Sequence, residues 1–141
     1  MSGVRIVEND ELSTCLVIRL EVFVEGQNVP LDEEVDGLDE QCTHFLAERD
    51  GVPLGTARLR ITEKGEARAE RVAVLEAARG SGLGAQVMLL LHDTAREKGH
   101  DEVVLHAQVA VIPFYERLGY RAEGPVFMDC AIPHRTMRLP L

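Results

Sequence analysis

The sequence is short of positive charge, of paired cysteines and of long apolar runs, and each shortage excludes something. Its 141 residues hold 15 Lys or Arg against 24 Asp or Glu, a formal net charge of −9. That balance argues against nucleic acid and against anionic membrane surfaces as partners. No run of 18 apolar residues occurs, so no transmembrane helix is expected. The first residues, from Met1 to Glu8, contain no apolar signal core. Cys15, Cys42 and Cys130 are odd in number, far apart and without a Cys-x-x-Cys. This usage points to a reduced, cytoplasmic protein with neither disulfides nor a metal site. Repeats, linkers and low-complexity stretches are also missing. One domain over residues 1–141, long enough to bury a proper core, is the expectation.

The acidic excess is unevenly placed. Residues 1–60 carry 5 basic and 13 acidic side chains, a net of −8, and residues 61–141 carry 10 and 11, a net of −1. Asp32, Glu33, Glu34, Asp36, Asp39 and Glu40 crowd one irregular stretch. Such a half could draw in a cationic acceptor, or could simply keep the chain in solution. The nearly neutral second half suits a polyanionic ligand.

What the chain does have is glycine in one telling place. Val72, Ala73 and Val74 form an apolar strand end, and Gly80, Gly82 and Gly84 follow within residues 79–84. Leu83, Val87, Leu90, Leu91 and Ala95 then recur at helical spacing, and Gly99 marks a stop. Glycines leave backbone N–H groups uncovered, and the helix adds its unpaired donors and positive dipole end. Strand, glycine loop and helix together make a site for phosphate or pyrophosphate. A P-loop would need Gly-Lys-Ser/Thr, where this chain has Gly84, Ala85 and Gln86. Gly80, Gly82 and Ala85, with Asp101 or Glu102 further on, fit a dinucleotide fingerprint. Against that, Leu75 to Ala78 separate loop from strand, and too little chain follows for a doubly wound sheet.

The rest reads as a first strand at 4–7 and a helix capped by Asn9 or Asp10 with Leu12, Leu16, Leu20 and Phe23 buried. That helix is expected to fray near Gly26. Strands follow at 43–49, 53–61 and 67–74, turning at Asp50-Gly51 and at 63–66. A strand at 102–107 should lie parallel to 67–74 because a helix connects them. A short helix at 112–118 and strands at 120–123 and 135–139 close the chain. The class is α+β with a mixed, mostly antiparallel sheet flanked by helices.

Arg79, Gly82 and Gly84 fill the pattern Arg/Gln-x-x-Gly-x-Gly/Ala, and Phe114, Tyr115, Gly119 and Tyr120 fill Phe-Tyr-x-x-x-Gly-Phe/Tyr. With the preceding Arg71-Val72-Ala73-Val74, these stretches resemble the acyl-CoA site of the GNAT acetyltransferase superfamily, and the resemblance covers essentially the whole chain. Residues 21–30, 36–39 with 44–46, and 128–137 narrow it to the ElaA-like subgroup of small bacterial acetyltransferases. Two departures are visible. Gly26 stands between Glu25 and Gln27, and Ala131 replaces a glycine usual before Ile-Pro-His.

The resemblance implies a GNAT-like fold in which the strands at 67–74 and 102–107 splay apart to admit acetyl-CoA. It places the cofactor on Val72, Ala73 and Val74, on the loop of Arg79, Gly80, Ser81, Gly82, Leu83, Gly84 and Ala85, and on Gln108. Tyr115 is the candidate acid for the leaving thiolate, since a phenol with a pKa of about 10 stays protonated at neutral pH; packing alone is the other reading of it. Glu70 is the candidate base, with an exposed strand glutamate as the alternative. Phe23, Gln27, His44 and His134 are the candidate acceptor contacts. His44 could equally be a hydrogen-bonded structural histidine, as could His106. The implied activity is acetyl transfer to a primary amine of a small molecule or peptide. A non-catalytic acyl-CoA-binding module and a nicotinamide enzyme remain alternatives at this level. A homodimer stays open, since the sequence does not identify the oligomeric state.

Overall fold

Seven strands pair into one sheet in the computed structural model, which describes residues 2–8 and 11–141. They are β1 (Ser2–Val7), β2 (Thr43–Arg49), β3 (Val52–Ile61), β4 (Ala67–Val74), β5 (Glu102–Gln108), β6 (Arg121–Asp129) and β7 (Ile132–Pro140). Their order across the sheet is β1-β2-β3-β4-β5-β7-β6. Only β4 and β5 run parallel, joined by the crossover through a long helix; every other pair is antiparallel. The helices are α1 (Leu12–Arg19), α2 (Leu31–Glu34), α3 (Leu83–Glu97) and α4 (Ile112–Arg117).

Alternation along the strands sends neighbouring residues to opposite faces. Phe45 joins one core with Leu59, Ala69 and Leu105, onto which α3 lays Leu83, Val87, Met88, Leu91 and Ala95. Alanines at 57, 67, 69 and 107 keep that face low enough for the helix to approach closely. Leu46 points the other way and packs with Val7 and Ala73, with Cys15 and Ile18 of α1, and with Val22 just beyond it. The Asp50-Gly51 turn takes φ of 52° and 77°, the left-handed pair that matches strand twist in a tight hairpin.

The structure corrects several sequence expectations. The fully buried positions are Cys15, Ile18 and Arg19 of α1 and Val22 just beyond it; Leu12 and Phe23 pack half-buried against the same core, and Leu16 and Leu20 are also only half-buried. A buried arginine breaks the apolar pattern, and the helix then widens into a π turn over Leu20–Glu25 instead of fraying. One wide turn shifts every later side chain around the axis. The proposed caps Asn9 and Asp10 lie outside the described residues. β6 and β7 are far longer than expected and meet at Cys130 and Ala131, with φ of 51° and 62°. A tight hairpin normally advertises itself with Asn-Gly, and this one does not.

The acidic stretch is also not what its composition suggests. Arg19 and Arg58, each about 1% exposed, are buried beneath it. Arg19 Nε lies 2.6 Å from Glu34 and its Nη1 2.7 Å from Asp39. Arg58 reaches Asp36 at 2.7 Å, Asp39 at 2.9 Å and Glu70 at 2.9 Å. Arg71 closes the network on Glu34 at 3.1 Å and Asp36 at 3.2 Å. Three of the six carboxylates therefore fasten residues 31–41 to the sheet and are neutralised there, which removes them as a lure for a cationic acceptor. Hydrogen bonding from Arg58 holds Asp36 well below the usual carboxylate range.

Candidate active site

β4 and β5 touch at a single register pair, Arg68 with Val104, and separate beyond it. Arg71 helps them part. Its φ of 54° sits where the register between β3 and β4 slips, so the chain bulges and turns. The gap widens into a cleft of about 960 Å³ that runs from the glycine loop to the far face of the sheet. Val72, Ala73 and Val74 line it along β4, and Gln108 lines it at the end of β5.

At one end the loop presents Arg79, Gly80, Gly82, Gly84 and Ala85 to the cleft. Gly82 caps α3 with φ of 88°, a conformation that demands glycine, while a Cβ there would meet nothing. Neither a side-chain cap nor an acidic residue occupies the first turn of α3, so its donors face the loop uncompensated. Gly84 serves a different need. A Cβ there would stand 3.4 Å from both Phe114 and Val74. Arg79 turns back and donates from Nε to the Val74 carbonyl at 3.1 Å. Ser81 donates to the Ala78 carbonyl from both its hydroxyl and its N–H, and its Oγ accepts from the Leu83 N–H at 3.4 Å, so neither residue offers a free N–H. Free N–H groups beside a helix dipole fit a pyrophosphate. An unpaired strand edge fits an amide-bearing arm. Both are features of CoA.

Tyr115, from α4, also lines the cleft and is buried. Its ring stands edge-on to Phe114 at 5.0 Å and to Tyr120 at 5.7 Å. Burial pushes the phenol above its ordinary value, so it keeps its proton at any physiological pH. Glu70 also lines the cleft, but Arg58 and Arg60 both donate to its carboxylate. Burial alone would raise its pKa; the two guanidiniums outweigh that and hold it below the ordinary value. A carboxylate so held is a weak base.

The model of the Acetyltransferase (GNAT) family matches residues 12–120. This chain is a GNAT acetyltransferase. It is 35% identical over 138 residues to YjcF of Bacillus subtilis, described as an uncharacterized N-acetyltransferase, covering 97% of this chain and 98% of that one. The crystal structure of an acyl-CoA N-acyltransferase from Pseudomonas aeruginosa matches with a TM-score of 0.83 at 35% identity, over 99% and 98% of the two chains. Escherichia coli ElaA matches with a TM-score of 0.86 at 26% identity, over 99% of each. A mixed, mostly antiparallel sheet of this kind displaces the nicotinamide reading of the glycine loop.

In this GNAT chain the cleft is also lined by Phe23 from the wide turn after α1, Gln27 just beyond it, and His106 and His134 from β5 and β7. Gln27 and Gln108 meet amide to amide at 2.9 Å, tying the α1 side to the β5 side. His134 stacks on Phe127 with ring centres 5.8 Å apart and approaches the Ile132 carbonyl through Nδ1 at 2.7 Å. His44 is the exception among the expected acceptor contacts. It lies outside the cleft wall, buried in β2, with Nε2 2.8 Å from the Asp39 carbonyl, and burial lowers its pKa. Its Nδ1 is buried and has no hydrogen-bond partner among the described residues. Sequence reasoning missed Arg68, Arg71, Asp129 and Cys130, all of which line the cleft. The charge of Arg68 on a strand facing a histidine two strand positions from Gln108 was the available signal.

Proposed function

We propose that this protein acetylates a primary amine of a small molecule or peptide, using acetyl-CoA as co-substrate, in a ternary complex without a covalent enzyme intermediate or a metal. When bound, acetyl-CoA supplies a thioester whose C–S bond breaks as the C–N bond to the amine forms. The backbone of residues 72–74 holds the pantetheine arm as an added strand, and the loop of residues 79–85 holds the pyrophosphate. Tyr115 donates its proton to the departing sulfur. The amine loses a proton, which leaves through water ordered by Glu70. Because Arg58 and Arg60 depress its proton affinity, Glu70 passes the proton on and does not store it. Orientation of the two reactants in one cleft supplies much of the acceleration. The expected setting is the cytoplasm, where acetyl-CoA and reduced cysteines coexist.

The observation that carries this reading is the coincidence, in one cleft, of an open strand edge, a bare helix N-terminus and a phenol kept protonated by burial. Thiol release from acetyl-CoA against a panel of amines tests it. Turnover with at least one amine is expected, and Tyr115→Phe should lower kcat by roughly 10²-fold while nearly keeping the KM for acetyl-CoA. Tight CoA binding with no turnover on any amine would instead mark a non-catalytic binding module. A Tyr115→Phe enzyme with unchanged kcat, chemistry being rate-limiting, would assign the ring to packing against Phe114 and Tyr120.

A further inference from the structure

Resting on that reading of the cleft, we infer that the acceptor amine carries a carboxylate, and that Arg68 with His106 receives it. Arg68 lies on the cleft wall at the point where β4 and β5 part, on the same face of the sheet as Glu70 and His106. Its Nε is buried and has no hydrogen-bond partner among the described residues. Buried guanidinium donors are seldom left so, because an unmet buried donor is costly. The nearest carboxylate, Glu66, stands 3.7 Å from that nitrogen, beyond a hydrogen bond. Nη2 lies 2.7 Å from both ring nitrogens of His106, only one of which can accept, and only in the neutral ring. Burial, and then the charge of Arg68, depress the pKa of His106 and keep it neutral.

The contrast with the other arginines on this face singles Arg68 out. Arg58 and Arg71 are saturated by Asp36, Asp39, Glu70 and Glu34. Arg60 holds Glu70 through two nitrogens. Arg68 alone of these four has only a neutral histidine within hydrogen-bond distance and a carboxylate further off. A planar guanidinium with donors in hand matches a carboxylate in shape as well as charge. The spacing also fits. Arg68 is two residues before Glu70, roughly 7 Å along a strand. An amine and a carboxylate a few bonds apart bridge the distance between an acyl group at the Glu70–Arg71 level and the Arg68 fork. The acceptor class is then an amino acid or a close relative.

The test compares matched pairs: phenylalanine with phenethylamine, lysine with cadaverine, and β-alanine with ethylamine. Wild type should favour the carboxylated member of at least one pair by 10-fold or more in kcat/KM. Arg68→Met should erase that preference by raising the KM of the carboxylated member, with the acetyl-CoA KM unmoved, and Arg68→Lys should restore part of it. A readout free of turnover uses CoA-bound wild type. N-acetylglycine, but not N-acetylglycinamide, should shift the ring-proton NMR signals of His106. Turnover with no preference within any pair would overturn the inference and leave the acetyltransferase reading intact. No turnover, with the N-acetylglycine shift present, would keep the carboxylate site and sink that reading. The absence of both preference and shift overturns the site, whatever the variants do.

Discussion

Removing Arg58 is the sharpest test of how the acidic stretch is held. The guanidinium is about 1% exposed and stands within 2.9 Å of three carboxylates, Asp36, Asp39 and Glu70. Arg58→Met fills the space without the charge. Each carboxylate keeps one other arginine: Arg71 for Asp36, Arg19 for Asp39, Arg60 for Glu70. None keeps two. Breaking a buried ion pair from one side costs about 3–5 kcal/mol, because the stranded charge stays desolvated. Against a total stability of about 5–15 kcal/mol for a domain, that is a large fraction. With a urea slope of about 2 kcal/mol per molar, the unfolding midpoint at pH 7 should fall by about 2 M. The loss should also depend on pH, with a definite sign. Asp36, Asp39 and Glu70 are held below their ordinary values in the fold, so their stabilising effect is present above the unfolded carboxylate pKa and fades as pH falls through the folded one. In Arg58→Met that depression is weaker, so the carboxylates take up protons at higher pH than in wild type, and the deficit is flat from pH 7 to about 4.5 and narrows as pH falls below that. A loss under about 1 kcal/mol at pH 7, or one that does not narrow below about pH 4.5, would refute the claim that these charges are buried and interdependent.

Two further expectations concern the loop and the core. Gly82→Ala places a side chain at φ of 88°, a strain of about 1–2 kcal/mol, so CoA affinity measured by calorimetry should drop while circular dichroism stays near wild type; full affinity would separate the loop from the ligand. His92 is buried with Nε2 2.6 Å from the Tyr120 hydroxyl, and burial lowers its pKa to about 4. Unfolded, it would titrate near 6.5, so below that pH the unfolded chain binds the extra proton and stability falls until about pH 4, by up to about 3 kcal/mol. His92→Gln should flatten that part of the melting-temperature profile, and an unaltered slope would place the acid sensitivity elsewhere.

Much of the fold was legible because its signals are local. The strands at Thr43–Arg49 and Ala67–Val74 fall where alternation and turn residues put them, and α3 runs from the glycine loop to Gly99. What escaped was whatever depends on partners distant in sequence. Nothing local marks Arg19 and Arg58 as buried, because Glu34, Asp36, Asp39 and Glu70 arrive from elsewhere in the chain to neutralise them. His44 looks like a ligand contact in a motif and proves to face a backbone carbonyl. The hairpin at Cys130 and Ala131 was invisible because both residues sit at positive φ without the glycine that usually marks such a turn. The glycine end of the cleft was readable because its residues are contiguous in sequence. At the other lining segments Phe23, Gln27 and His134 were picked out, but Arg68, Arg71 and Asp129 were not, since separate segments bring them together.

A sheet ordinarily leaves its unmatched pairing groups at its two rims, where they invite other chains. Past the Arg68–Val104 bridge this one carries a third set, in its interior, between β4 and β5. Such an inner edge is sheltered from edge-to-edge aggregation, because only a slender extended molecule can slip between the strands. It is also a seam. The backbone of β5, with the hairpin of β6 and β7, pairs with the remaining four strands through that one bridge, so any ligand that laces the gap would add to the pairing between the two sides. Resistance to unfolding would then rise with the concentration of whatever fills the seam, making the occupant a folding partner as much as a reagent.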